Sequence, residues 1–377
     1  MNADQQRAEL QGHALELGFD AAGWTGAEVE PRDVTGFTDW LGADFHAGMD
    51  YLPPSVARRS DLASSFAPAQ SVLALMVSHA HPEPEVPNTG TRAGRVARYA
   101  WSPDYHSQLQ PHLNKLERHA ASLGLRAKAY VDHGPILERS FAIRAGLGWR
   151  GRSSQVISQS HGALSTLAVL LTDVAMPPEL ETGHSDRCGR CTACVAACPT
   201  AAITADRRVD SRKCLSYLSI EHRGPIPLEY RSRLGDHLFG CDDCLDVCPW
   251  STHAGTFSSL LEPQADLAHP NLEDFFLLSG HEFEKRYRHS AFSRARRKGM
   301  ARNAATVLGN VRDPKHLWLL ERGLSDIGWE VREACTWALG RFEHIQARDL
   351  LEKALLDADQ RVIVTAQRGL EGEFLSA

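Results

Sequence analysis

The sequence predicts an α+β protein in three parts: an α/β domain, a small module organised by cysteines, and a C-terminal α-solenoid. Three observations lead to this reading. Helix-like and strand-like patterns alternate from the N-terminus to about residue 175. Eight of the nine cysteines lie between residues 188 and 248. Beyond them a short string recurs, as Arg302-Asn-Ala-Ala-Thr-Val-Leu-Gly309, Arg332-Glu-Ala-Cys-Thr-Trp-Ala-Leu-Gly340 and, more weakly, Arg361-Val-Ile-Val-Thr-Ala-Gln-Arg-Gly369. The expected domain bounds are 1–178, 179–258 and 259–377.

Each element of the first part has a local reason. Asp4–Leu17 has the pattern of an amphipathic helix, with Asp4 as its N-cap. Ser71–His79 (SVLALMVSH) and Leu164–Thr172 are short, continuous apolar runs and read as buried strands. His106–Leu123 is an amphipathic helix stopped by Gly124, and Arg126–Val131 is the strand after it. Glu138–Ala145 is helical and ends at Gly146. Pro177-Pro178 and the polar stretch to Asp186 form a linker.

The cysteine spacing of the second part is that of a two-cluster ferredoxin. One run is Cys188-x2-Cys191-x2-Cys194-x3-Cys198-Pro199, the other Cys241-x2-Cys244-x3-Cys248-Pro249, and Cys214 lies between them. A 4Fe-4S cube takes four thiolates, and in this arrangement the cysteine before proline ligates the other cube. Cys188, Cys191 and Cys194 therefore take Cys248, while Cys198 joins Cys241 and Cys244. A regular repeat would put the missing thiolate at Leu238, so Cys214, the remaining thiol nearby, fills the place. Zinc sites and disulfides are the alternatives. Structural zinc prefers paired CxxC knuckles, which a CxxCxxC run followed by Cys-Pro matches poorly. Cys335 stands apart in the repeat region and reads as a buried, inert thiol.

The recurring string of the third part marks a short HEAT-like solenoid of helix pairs, three repeats being about the minimum that buries a continuous core. A plain helical bundle is the alternative. Composition places the whole chain among ordinary globular proteins, with 43% hydrophobic and 23% charged residues. A net charge of −6 excludes a strong overall attraction to nucleic acid. The first residues show no basic–apolar export signal or twin-Arg pair, and the longest apolar stretch, Ala163–Leu171, is far short of the ~20 residues a membrane span needs. Free, metal-binding thiols then place the protein in the reducing cytoplasm; a monomer without membrane contact is the expectation.

Clusters of this kind move electrons, so another site must use them. The densest candidate is Tyr130-Val131-Asp132-His133-Gly134-Pro135-Ile136-Leu137-Glu138-Arg139, followed by Ala145-Gly146-Leu147-Gly148-Trp149. Asp132 sits at a strand end before a turn that opens a helix, where α/β proteins place reactive groups. Held in an apolar pocket it would keep its proton and act as a general acid; otherwise it is a turn residue. Gly146-x-Gly148 is half a dinucleotide fingerprint, and a weak one. The loop Ala97-Arg98-Tyr99-Ala100-Trp101-Ser102-Pro103-Asp104-Tyr105-His106 is rich in aromatics and suits a large flat cofactor or a stacked base, although each aromatic alone reads as core.

These motifs carry a resemblance. Ala97-Arg98-Tyr99-Ala100-Trp101, Asp104-Tyr105-His106, Val131-Asp132-x-Gly134-Pro135, Arg144-Ala145-Gly146-Leu147-Gly148-Trp149, the eight cysteines and Arg302-Asn303-Ala304-Ala305 together resemble the epoxyqueuosine reductases, cobalamin-dependent iron–sulfur enzymes of the last queuosine step in tRNA. The resemblance runs from about residue 5 to 310. It implies a cobalamin domain related to that of reductive dehalogenases, then the ferredoxin module, then the solenoid. It implies Asp132 as proton donor beside the corrinoid and Arg59 as a cobalamin contact. It also implies that Ala97, Ser154, Leu167 and the Cys241-Asp242 backbone line the corrinoid. The chain departs from the pattern at His133, where Ser or Thr is common, at Gly151-Arg152-Ser153, where Gly-Lys-Asn is usual, and at Val169, where a Glu is common.

The expected partner is a tRNA carrying epoxyqueuosine at the wobble position, with flavodoxin or ferredoxin as electron donor. Lys285, Arg286, Arg288, Arg294, Arg296, Arg297, Lys298 and Arg302 form a run with no intervening carboxylate. Arg294, Arg296, Arg297 and Lys298 are the expected phosphate contacts, against the alternative of a solvated face. Two rival functions remain at this level: another corrinoid reductase of dehalogenase type, and a non-catalytic electron-transfer subunit.

Overall fold

The computed structural model describes residues 1–177, 184–252 and 258–375. The predicted linker from Pro178 to residue 183, and residues 253–257 at the end of the cysteine module, lie outside them. The chain divides into two compact units. One holds 1–82, 102–212 and 242–262; the other holds 83–101, 213–241 and 263–377. The units do not coincide with the three sequence stretches, because the cysteine-rich stretch contributes to both.

The first unit is built on a four-stranded sheet of β1 (Ala21–Gly26), β2 (Ser71–Ser78), β3 (Ala127–Tyr130) and β4 (Ser165–Thr172), in the order β1-β2-β4-β3. All three pairings are antiparallel. The alternating pattern anticipated β2, β3 and β4 within two residues, but a βα alternation would ordinarily give a parallel sheet. It did not anticipate β1. Ala-Ala-Gly-Trp-Thr-Gly is a poor strand by composition. Gly23 is needed there, since a Cβ would come within 2.2 Å of the Ala145 carbonyl oxygen.

The continuous apolar run of β2 is explained by two cores. Leu73, Leu75 and Val77 pack with Leu10 and Ala14 of α1 (Ala3–Glu16) and with Leu109, Leu113 and Leu116 of α2 (Tyr105–Ser122). Val72 joins Phe141, and Ala74 and Met76 join Ala142, on α3 (Glu138–Arg144). A strand covered on both faces has no polar face to alternate with. The start of α1 differs from expectation. Asn2, not Asp4, is the N-cap, in a capping box with Gln5. Asp4 lies in the first turn, where its charge suits the helix dipole.

The second unit contains α4 (Leu215–Ile220), the short strand β5 (His237–Phe239), α5 (Gly280–Tyr287) and then the solenoid: α6 (Arg296–Val311), α7 (Leu317–Gly323), α8 (Trp329–Leu339), α9 (Ile345–Ala354) and α10 (Gln360–Leu370). The three repeated strings occupy equivalent positions on α6, α8 and α10. In each, the threonine hydroxyl donates to the carbonyl of the arginine four residues earlier: Thr306 to Arg302 at 3.0 Å, Thr336 to Arg332 at 2.8 Å and Thr365 to Arg361 at 2.9 Å. The closing glycines let these helices touch, since a Cβ on Gly309 would lie 2.8 Å from the Ala338 Cα. The arginines differ in their partners. Arg332 pairs with Asp357 and Arg361 with Asp359, whereas Arg302 turns inward. Cys335 is fully buried in α8 as expected, and burial pushes its thiol well above the ordinary range. Among the described residues, no helix is long and apolar enough to cross a membrane.

Candidate active site

Asp132 is held in a turn anchored at both ends. Val131, just after β3, is fully buried. Gly134 lies flat on the Tyr130 ring, where a Cβ would approach the ring Cδ1 to 2.6 Å. Between these anchors Asp132 has a φ of +55°. Aspartate and asparagine enter that left-handed region more easily than other side chains. The surroundings differ from the expected apolar pocket: the Asp132 side chain is 66% exposed. It accepts a hydrogen bond from the Tyr105 hydroxyl, and His106 Nε2 lies 4.0 Å away. Asp104 in turn contacts His106 Nδ1 at 2.8 Å, and the His106 ring stacks on Tyr105 with centroids 4.2 Å apart. Tyr105 and His106 of the aromatic loop therefore belong to the Asp132 site. Trp101 is a core residue of the other unit, its indole N–H donating to the Val96 carbonyl.

Two more expected residues converge on the same segment. Arg59 donates through Nη1 to the Ile136 carbonyl at 2.5 Å and through Nε to Ser55 at 2.9 Å. Arg139 donates to the Ser154 carbonyl at 3.3 Å, and Ser154 also has a left-handed φ, of +66°. Leu167 lies on the half-buried opening of β4. Val169, where the resemblance has a glutamate, is fully buried among Tyr130, Ile136 and Phe141, so an apolar side chain suits its place. In the other unit the Ala97 amide donates to the Phe239 carbonyl at 2.8 Å, which sets Ala97 beside the segment leading to Cys241. Asp242 belongs to the first unit.

Glu138 was passed over in the sequence, although it stands in the same motif. Its Oε1 is buried without a hydrogen-bond partner. Burial, and then the charge of Asp132, raise its pKa to about 7. An unfolded glutamate titrates near 4.5. The protonated group's contribution to stability is thus complete below about pH 4.5 and is lost as the pH rises through about 7. Glu138→Gln removes this titration. Melting temperatures measured between pH 5 and pH 8 should move in favour of the variant as the pH rises. Parallel melting curves across that range would show that Glu138 does not titrate there.

The four cysteines of the first predicted set lie around one cavity. This cavity, of about 350 Å³, is lined by Cys188, Cys191, Cys194 and Cys248, by Cys244 as well, and by Ile157, Pro249 and Trp250. Arg152 and Ser153, two of the departures from the resemblance, line the same cavity, and Arg152 donates to the Gly189 carbonyl at 2.7 Å. A space lined by sulfur donors suits an iron–sulfur cluster. Of the cysteines expected at the second cube, Cys198 and Cys244 belong to the first unit and Cys214 and Cys241 to the second. Cys214 caps the start of α4, and Cys241 follows β5 by one residue.

The basic run divides. Arg297 forms a two-pronged pair with Asp326 at 2.7 and 2.9 Å, with its side chain only 10% exposed. Breaking a buried pair from one side costs roughly 3–5 kcal/mol, so this arginine is a brace between repeats and not a phosphate contact. Arg302 is buried among backbone carbonyls. Arg294 is exposed but pairs with Glu221 at 2.6 Å. Lys285, Arg288, Arg296 and Lys298 are exposed, whereas Arg297, expected with them, is committed to Asp326.

Residues 187–251 match the family model for a 4Fe-4S double cluster binding domain, and residues 290–371 match HEAT repeats. Residues 59–133 match the model described as "Epoxyqueuosine reductase QueG, DUF1730", a segment that begins at Arg59 and ends just past Asp132. An epoxyqueuosine reductase of Pseudomonas aeruginosa is 36% identical over 336 residues, covering 86% of this chain and 91% of that one. The chain belongs to the epoxyqueuosine reductase family. It is accordingly an oxidoreductase carrying a double iron–sulfur cluster domain and HEAT repeats. An epoxyqueuosine reductase crystallised with an epoxyqueuosine-modified tRNA-Tyr stem loop superposes with a TM-score of 0.89 at 27% identity, over the whole of both chains. The Bacillus subtilis epoxyqueuosine reductase, with a TM-score of 0.87 and 27% identity over 98% of this chain and all of that one, was solved with its catalytic aspartate loop swung out of the active site.

Proposed function

We propose that this chain reduces epoxyqueuosine to queuosine in the anticodon loop of tRNA, with Asp132 as proton donor. The observation that carries this reading is the presence of the cysteine-lined cavity and the Asp132 turn in one chain that is 36% identical to an epoxyqueuosine reductase. Converting the epoxide to an alkene consumes two electrons and two protons and releases water. Each cluster passes one electron at a time. A small flavodoxin or ferredoxin supplies them to the protein, which acts as a cytoplasmic monomer.

The reading includes bound cobalamin. Arg59, the Asp132 turn and Ser154 are stitched into one place by the bonds to Ile136 and Ser154. They offer a cation, a carboxyl, turn backbone and, at Leu167, a half-buried apolar side chain. That donor set fits the amide-bearing rim and flat face of a corrinoid. When bound, the corrinoid supplies a centre that collects electrons and acts on the substrate carbon. The protein's residues supply the rest. The turn presents Asp132 where it delivers a proton to the departing oxygen. Tyr105 and His106 orient that carboxyl, and the charge of Asp132 is coupled to Glu138.

The modified base has to leave the loop to reach the site, as is general for enzymes acting on bases in single-stranded loops. Arg296 and Lys298 bind the phosphates beside it. Arg296→Glu with Lys298→Glu should weaken binding of the tRNA stem loop while iron content stays unchanged. Each lost phosphate contact should flatten the salt dependence by about one unit of slope. Unchanged affinity at ~100 mM salt would return these residues to a solvated face.

The direct test is to incubate the reduced protein and cobalamin with epoxyqueuosine-containing tRNA and digest the product to nucleosides. Queuosine should replace epoxyqueuosine. Persistence of epoxyqueuosine with both clusters reduced would refute the proposal.

A further inference from the structure

Two buried polar side chains of α6 make contacts that the repeat does not require. Arg302 and Asn303 are 2% and 0% exposed. Arg302 donates through Nη1 to the His222 and Gly224 carbonyls at 2.9 and 2.7 Å, and through Nη2 to the Leu218 carbonyl at 2.8 Å. Its remaining donors meet Asn303 Oδ1 at 3.1 and 2.8 Å. The Asn303 amide is thereby fixed in orientation, and its Nδ2 donates to two carbonyls: Ser219 at 2.7 Å and Leu238 at 2.9 Å. Ser219 is on α4, which opens directly after Cys214. Leu238 is on β5, which leads to Cys241. A third bond closes the arrangement, since the Gly240 amide donates to the Ser219 hydroxyl at 2.9 Å.

We infer that Asn303, oriented by Arg302, is a positioning residue for the second iron–sulfur cluster: it sets the distance between the segments that carry Cys214 and Cys241. The chemistry favours this over general packing. An orphaned buried carbonyl is costly, so a helix end and a strand that share one amide cannot slide apart without leaving their acceptors unpaired. Arg302 has no carboxylate among its hydrogen-bond partners. Burial first, and then the charges of Arg223 and Arg231, lower its pKa to about 9. What holds a guanidinium there is the Leu218 carbonyl in the last turn of α4, which the helix leaves without an internal donor, and the His222 and Gly224 carbonyls of the loop that follows. The first helix of the solenoid is thus a template for the redox module. The inference rests on the double-cluster reading.

The test uses the full chain, purified anaerobically. Asn303→Asp keeps the shape but replaces the two amide donors with a carboxylate oxygen. Ser219→Ala is milder and removes the acceptor of the Gly240 amide. Asn310→Ala is the control: on the same helix, Asn310 donates to the Arg231 and Gly235 carbonyls at 2.8 and 2.9 Å, neither beside a thiol. Iron content, the electron paramagnetic resonance of the reduced clusters and their midpoint potentials are read for each. Asn303→Asp should lose up to half of the iron and the spectrum of one cluster. Ser219→Ala should keep the iron and shift the midpoint of that same cluster. Asn310→Ala should lower the melting temperature while both clusters stay as in the parent. If Asn303→Asp and Ser219→Ala both match Asn310→Ala, the brace is structural only and the inference fails. Should Asn303→Asp not fold, an unshifted potential in Ser219→Ala overturns the inference by itself. A parent protein with only half the iron would overturn it together with the double-cluster reading, which separates the two failures.

Discussion

Asp132→Asn should leave a folded, fully metallated protein that turns over epoxyqueuosine roughly 10²–10⁴-fold more slowly, the usual loss when a general acid is removed. The fold should survive because Asn tolerates the left-handed backbone that Asp132 adopts at φ +55°. The Tyr105 hydroxyl still finds an oxygen to donate to. What disappears is the transferable proton and the negative charge. The second loss has its own readout: the Asp132 charge is one cause of the raised Glu138 pKa, so that pKa should fall in the variant. Turnover per bound cobalamin separates catalysis from folding. Near-normal turnover in a folded variant would remove Asp132 from the chemistry and leave it as a turn residue. The exposure of its side chain does not argue against the role, since a donor to a bulky substrate has to face the opening through which that substrate arrives.

Replacing one thiolate of each set should divide the iron–sulfur content in two. Cys248 lines the cavity with Cys188, Cys191 and Cys194, so Cys248→Ser should lose the cluster held there and retain the other. Cys214→Ser should do the reverse. A serine hydroxyl keeps its proton near neutral pH and is a hard, weak ligand for iron, so a cube with three thiolates is lost or strongly destabilised. Iron should fall towards half in either variant. Melting temperatures should fall too, because metal binding contributes folding free energy where a module has little hydrophobic core. Turnover should be abolished in both, since electrons pass in series. Cys335→Ala is the control: Cys335 is fully buried in α8, and its replacement should leave the iron unchanged. If Cys214→Ser kept both clusters, the eighth ligand would have to be a group other than Cys214.

Much of this site is legible in the sequence. The cysteine spacing proposed Cys188, Cys191, Cys194 and Cys248 as one ligand set, and these four line one cavity, which Cys244 of the other proposed set also lines. The register of the repeats was visible in the recurring Arg-x3-Thr string and returns as three equivalent hydrogen bonds. The turn around Asp132 was visible because glycine and proline mark it locally. The role of Glu138 was not, because its raised pKa comes from burial and from a neighbouring charge, which a motif does not display.

What the chain's sequence determined by itself is therefore local or arithmetical: element positions, ligand number and spacing, repeat period and the residues of the turn. Covalent proximity and backbone preference act over a few residues and leave their mark in the string. Tertiary structure alone decided the antiparallel order of the sheet, the polar setting of Asp132 and the fate of the basic run. Arg296, Arg297 and Arg302 are the same side chain in the sequence. One is exposed, one meets Asp326 and one meets the carbonyls of Leu218, His222 and Gly224. Their roles differ because the energy of a guanidinium is set by its solvation and its partners, and those partners come from distant parts of the chain.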